Sequence, residues 1–235
     1  MTERSKQILK ESIKDFIETG YPITSGRLYD MGNFGIKPAM IRRELSELDD
    51  DGFLNQMHTS GGRYPTKKAY QYLVDEILEN DTRSNRYKPK RSENILDNLK
   101  LGKQKDVTER LADYLEVLSV VYDPFNNGFY NSGLRDLFNG LDFQEKEEVC
   151  SIIEDFELLR RRLESNRWWN RNNCWPQVFI GQSPVTESDN LTVIAQKVSL
   201  SGTNGVLLLA IGPRRMDYRK SIRLFKYLQD NINHI

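Results

Sequence analysis

Residues 36–66, IKPAMIRRELSELDDDGFLNQMHTSGGRYPT, limit the possible folds more than any other part of this chain. Ile41, Leu45 and Leu48 recur at helical spacing, so one stripe of a short helix must find a core. At about 100° of turn per residue, Ala39, Arg42, Arg43 and Ser46 fall on the opposite side. Pro38 suits the first helical turn, and Gly52 stands where a left-handed C-terminal cap is expected. Beyond it, residues 53–58 have strand character. Thr59, Ser60, Gly61 and Gly62 supply turn chemistry, and Arg63 and Tyr64 pair back before Pro65 ends the strand. The pattern predicts a helix followed directly by a two-stranded wing, with Arg63 close to the hairpin tip.

An exposed arginine pair is most often a solvated face, and a helix followed by a hairpin occurs in proteins of many kinds. The surrounding residues favour a narrower reading. The strings ILK at 8–10, FIETGYPITS at 16–25, PAMIRREL at 38–45, GFLNQMHTSGGRYPT at 52–66 and AYQYLVD at 69–75 resemble the amino-terminal winged-helix domain of the heat-inducible transcription repressor family HrcA. The wing string HTSGGR beside IETG and PAMIRRE is a specific combination. Three positions depart from the family's usual residues: Arg43 stands where Asn is common, Gly61 or its neighbour where Ala is common, and Lys37 where a serine-like cap is common. Lys37 cannot accept the free backbone donors of the helix start, although it adds a charge beside phosphates.

Charge qualifies this reading. Lys plus Arg equals Asp plus Glu, at 34 each, so any polyanion must be held by a local patch and not by a global field. No apolar run approaches the roughly 20 residues of a membrane span, and the charged start MTERSKQ lacks the apolar segment of a secretory signal. Cys150 and Cys174 have neither a disulfide framework nor metal-ligand spacing. A cytoplasmic protein without membrane contact, metal or other cofactor is expected.

In chain order, residues 3–19 read as a helix with Ile8, Leu9, Ile13, Phe16 and Ile17 on one face and Gly20 as its stop. A short helix over 25–29 capped by Thr24, a turn over 32–35, the arginine-bearing helix and the hairpin complete the order of a winged helix-turn-helix. Thr66 caps a further helix through Tyr70, Leu73, Val74 and Ile77. From 81 to 105 the chain carries eight Lys or Arg against three Asp or Glu, which reads as a basic linker, partly helical around 95–101.

The remainder reads as one mixed α/β module. A helix around Val107, Leu111, Tyr114 and Leu115 leads to a buried strand over 117–122 ended by Pro124, then a tight connection over 125–129. A short helix over 134–138 and a long one over 143–166 follow, the latter with Val149, Ile152, Ile153, Phe156, Leu159 and Leu163 as its apolar stripe. Strands over 177–180, 191–200 and 205–211 precede a last helix over 216–232, started by Pro213 and favoured by Asp217 near its beginning. Trp168, Trp169 and Trp175 are read as buried in this module rather than as an interface. FIGQSP at 179–184 and the run at 207–228 containing GPRRMDY resemble the family's GAF-like domain, with Arg214 where Thr is usual. The family typically inserts a long dimerisation segment between the strand at 117–122 and the helix at 134–138. Here residues 123–133 alone separate them, so the insertion is expected to be absent.

The two histidines, His58 and His234, suggest no shared site, and the acidic runs at 49–51 and 145–148 read as solvated surfaces. With no phosphate loop or nucleophile motif, an enzyme is not expected. The fold class expected is α+β: a winged helix-turn-helix at 1–80, a basic linker at 81–105 and a GAF-like effector and dimerisation domain at 106–235. The resemblance implies a repressor of chaperone genes that binds double-stranded DNA as a homodimer at an inverted-repeat operator, with the chaperonin as folding partner. The residues expected to meet DNA are Lys37, Ala39, Arg42, Arg43, Ser46, Thr59, Ser60, Arg63, Lys67 and Lys68. Two alternatives are a metabolite-sensing regulator with the same two domains and an adaptor whose winged helix binds protein.

Overall fold

The computed structural model describes residues 1–32, 34–56, 61–80, 89, 92–141, 146–166, 168–170, 176–199 and 205–232. The chain divides into two compact units, Met1–Glu79 and Asn80–Ile235.

The first unit begins with α1 (Glu3–Thr19), which is capped at both ends. Thr2 accepts from the Ser5 backbone N–H at 3.1 Å, and Gly20 closes the helix with φ of 70°. In α2 (Ser25–Met31), Thr24 is the cap, and the helix runs two residues past its predicted end. Asp15 of α1 is buried and receives the Arg27 guanidinium of α2 through both oxygens, at 2.7 and 2.8 Å. This pair fixes α2 against α1. The helix α3 (Pro38–Asp50) ends as its sequence predicts. Gly52, at φ of 75°, donates to Asp49 O and Phe53 donates to Leu48 O, which satisfies two of the last carbonyls.

The hairpin is shorter than its sequence suggests. β1 (Leu54–Asn55) and β2 (Tyr64–Pro65) pair antiparallel, Leu54 opposite Pro65 and Asn55 opposite Tyr64. Arg63 makes a two-way backbone bridge with Ile23, so a third extended segment, absent from the sequence expectation, lies beside the hairpin. The helix α4 (Lys67–Asn80) starts at Thr66, whose hydroxyl accepts from Ala69 N and lies 2.8 Å from Gly52 O. Ile8, Leu9, Ile13, Ile23, Leu28, Ile41, Leu45, Leu48, Leu54, Tyr70, Val74 and Ile77 are all buried. The four helices and β1 therefore each contribute buried side chains to this unit, while both residues of β2 are half-buried.

The second unit contains a five-stranded sheet in the order β4-β3-β7-β6-β5, antiparallel throughout. Its strands are β3 (Leu118–Asp123), β4 (Gly128–Ser132), β5 (Gln177–Ile180), β6 (Leu191–Val198) and β7 (Val206–Pro213). All eight residues of β7 and seven of β6 are buried. That explains why their sequences, LTVIAQKV and VLLLAIGP, do not alternate between polar and apolar, since both faces are covered. One face carries Leu118, Val120, Val193, Leu207 and Leu209 against α7 (Leu134–Asn139), α8 (Lys146–Asn166) and a 3-10 turn at Trp168–Asn170. Trp169 stands edge-on to Tyr122 at 5.5 Å, and Trp168 edge-on to Phe179 at 5.3 Å. The two tryptophans are core residues; Trp175 lies outside the described residues. The other face is covered by α6 (Gln104–Leu115) and α9 (Tyr218–Ile232), and α5 (Ser92–Lys100) packs against both of these helices. The Tyr218 and Gln229 side chains of α9 bond Thr192 and Gln196 of β6 there.

Several expectations are corrected. Residues 92–100, where the basic linker is expected to be partly helical around 95–101, form the full helix α5 with Ile95, Leu96 and Leu99 buried, because three apolar residues on one face outweigh the flanking charge. Ile153 is 44% exposed and leaves the α8 stripe, whose buried row is Ile152, Asp155, Leu159 and Leu163. Pro213 does not start the last helix: it closes β7 opposite Leu191, and Asp217 caps α9 by accepting from Lys220 N at 2.9 Å. Residues 124–127 make a tight turn between β3 and β4 in which Asp123 accepts from the Phe125 and Asn126 backbone. Gly133 then begins α7 at φ of 87°, where a side chain would lie 2.3 Å from Val117 O. No inserted segment interrupts this passage.

Candidate nucleic-acid interface

The rotation of α3 about its own axis is fixed from behind. Ile41, Leu45 and Leu48 are buried, and Ser5 of α1 donates its hydroxyl to Glu44 at 2.7 Å. Ala39, Arg42, Arg43 and Ser46 are consequently exposed, as helical spacing requires. Met40 and Glu47 share the exposed face, although neither is among the residues expected from the sequence to meet DNA. A finer application of the same spacing finds them, since 40, 43 and 47 form a row as clearly as 39, 42 and 46.

Charge is divided along this helix. Lys37, Arg42 and Arg43 lie at its start and in its first two turns, where the one acid, Glu44, is bonded back to Ser5, whereas Glu47, Asp49, Asp50 and Asp51 lie toward its end. A polyanion is attracted to the first half and repelled by the second. Lys37 precedes Pro38 without a side-chain cap and is exposed. Arg43 donates its Nε–H to Glu47 Oε1 at 3.0 Å, the two side chains being 74% and 53% exposed. For Arg42 the described residues contain no ion-pair partner.

The structure gives the remaining expected residues different surroundings. Arg63 does not stand free at a tip: its side chain is 13% exposed, with Nε 3.4 Å from Asp49 Oδ2. Asp49 is therefore not the solvated acid that its run suggested. Lys68 donates to Asp51 O at 2.6 Å and lies 4.4 Å from the centre of the Phe53 ring, which ties the end of α3 to the start of α4. Lys67 is exposed one residue earlier. Thr59, Ser60 and His58 lie outside the described residues. The Arg63 and Lys68 contacts span 14 and 17 residues, and nothing in local periodicity signals them.

Among the described residues no group of three His, Cys, Asp or Glu side chains is arranged to hold a metal ion. No described helix is long and apolar enough to cross a membrane.

Comparison with known proteins adds the family. A family model described as the HrcA protein C-terminal domain matches residues 55–222. The heat-inducible transcription repressor HrcA of Desulforudis audaxviator strain MP104C is 44% identical over 80 residues, covering 34% of this chain and 23% of that protein. That of Desulfitobacterium hafniense strain DSM 10664 / DCB-2 is 34% identical over 119 residues, covering 51% and 31%. The matches thus span a third or less of the length of these two relatives. A crystal structure described as that of a hypothetical protein at 2.2 Å resolution superposes with a TM-score of 0.73, covering 99% of this chain and 97% of that one at 14% identity. This likeness establishes a shared fold across both units. With residues 55–222 matched by the family model, the chain belongs to the HrcA family.

Proposed function

We propose that this chain is a sequence-specific repressor of heat-shock (chaperone) genes that binds an inverted-repeat operator as a homodimer. The observation that carries the reading is the exposed guanidinium pair of Arg42 and Arg43 on the basic half of a helix clamped from behind. Relatives named heat-inducible transcription repressors support it. On this reading α1 to α3 with the β1–β2 hairpin are a winged helix-turn-helix, and the five-stranded unit is a GAF-like effector and dimerisation domain.

The split charge of α3 dictates the docking polarity: its N-terminal half enters the major groove while the acidic end stays outside. Arg42 and Arg43 donate to guanine O6 and N7 or to neighbouring phosphates, and Ser46 and Ala39 line the same surface. Lys37 and Lys67 contact phosphates. Thr59 and Ser60 are further contacts to DNA, and Arg63 reaches the minor groove only by leaving Asp49. Lys68 supports the end of α3 from its place over Phe53. Two copies present two such helices, so the operator repeats its half-site about one DNA turn away. The chaperonin, as folding partner, sets how much active repressor is present.

Selection of duplexes from a random pool by the full chain tests this reading. Enrichment of a palindrome is expected, with binding that weakens as salt rises. Recovery of no duplex above background would overturn it. Refolding with and without chaperonin, read as the yield of duplex-binding protein, tests the partner: equal yields would remove the chaperonin from the scheme.

A further inference from the structure

Glu47 presents a problem that DNA binding alone does not solve. It is an exposed carboxylate on the face of α3 that is to meet a polyanion, one helical turn from Arg43. Helix stability does not account for it. Exposed pairs contribute little, and this one is in the weaker order, with the cation N-terminal to the anion. An acid toward the end of a helix also opposes the backbone dipole. What Glu47 does do is geometric: its Oε1 accepts the Arg43 Nε–H at 3.0 Å. A guanidinium is planar, so a bond at Nε fixes the plane of the whole group. The two terminal Nη groups then form an outward-facing fork, and that fork matches the O6 and N7 acceptors of a guanine in the major groove.

We propose that Glu47 is a positioning residue: it holds the Arg43 guanidinium in the plane needed to read one guanine, and it penalises binding wherever that guanine is absent. The second effect follows from the same atoms. Away from a guanine, Arg43 turns toward phosphate, its bond to Glu47 is lost, and an uncompensated carboxylate faces the backbone. The inference rests on the DNA-binding reading and adds a source of specificity to it.

The test uses the full chain and the duplex that it selects from a random pool. Each guanine is replaced in turn by 7-deazaguanine, which lacks the N7 acceptor and keeps O6. For the unaltered chain, one replacement in each half-site is expected to weaken binding about tenfold. Arg43→Ala abolishes that penalty. Glu47→Ala reduces it to about twofold or less and tightens binding to random duplex, because a carboxylate has left the interface. Glu47→Gln retains an acceptor at the same place and keeps most of the penalty. A Glu47→Ala variant that keeps the full penalty would overturn the proposal, as would a Glu47→Gln variant indistinguishable from it. In both cases duplex binding itself persists. A chain that enriches no duplex instead removes the DNA-binding reading, and this inference with it.

Discussion

Arginine is used in opposite ways in the two units. In the second, Arg162 of α8 turns inward: its side chain is 17% exposed and donates to the buried Asp155, to Val185 O at 3.1 Å and to Glu187 at 2.9 Å. Asp155 also accepts from the Glu187 and Ser188 backbone at 2.7 and 2.9 Å, so the loop between β5 and β6 is fastened to the helix. In the first unit, Arg42 and Arg43 of α3 turn outward, and Arg43 pairs with an exposed acid on its own helix. The comparison shows that residue type does not reveal the role of a charge. The cost of losing its partner does, and that cost is high for Asp155 and low for Glu47.

The largest expected effect is therefore inside the second unit. Arg162→Ala leaves a buried carboxylate with its two backbone donors alone, and unfolding in urea should show a loss of roughly 3 to 5 kcal/mol. A loss under about 1 kcal/mol would break the contrast. Next, Arg43→Ala should cost about 1 to 3 kcal/mol of binding to the selected duplex and leave stability within about 0.5 kcal/mol. Equal losses on selected and random duplex would deny it a base-reading role. Arg63→Ala sharpens the comparison, because this half-buried side chain lies between the two cases. Loss of its 3.4 Å pair with Asp49 should destabilise the first unit by about 1 kcal/mol, measured by thermal melting, with a smaller effect on duplex binding. Lys67→Ala should have the smallest effect. Binding should weaken alike on all sequences, and the slope of log affinity against log salt should fall by about one.

How much of this was legible in the sequence follows from how local each cause is. The caps at Thr24, Gly20 and Gly52 and the outward turn of Arg42 and Arg43 depend on neighbours within a turn or two, and periodicity finds such features. The strand run of β7 was legible because burial on both faces leaves an unbroken apolar string. The bridge between Ile23 and Arg63, the pairing of Arg63 with Asp49 and the seat of Lys68 over Phe53 join residues 14 to 40 apart. They arise from packing that no short window contains. The start of α9 was misplaced for another reason: Pro213 is equally at home at a strand end and a helix start, and a capping acid four residues later decided the matter.

The central claim is that the basic half of α3 enters a major groove, once per half-site. Methylation interference at guanine N7 on the selected duplex tests it most directly, since that atom lies on the floor of the major groove. The account predicts that methylation blocks binding at guanines in two clusters whose centres lie about one helical turn apart. Binding that is indifferent to N7 methylation, or blocked solely by modification in the minor groove, would contradict it.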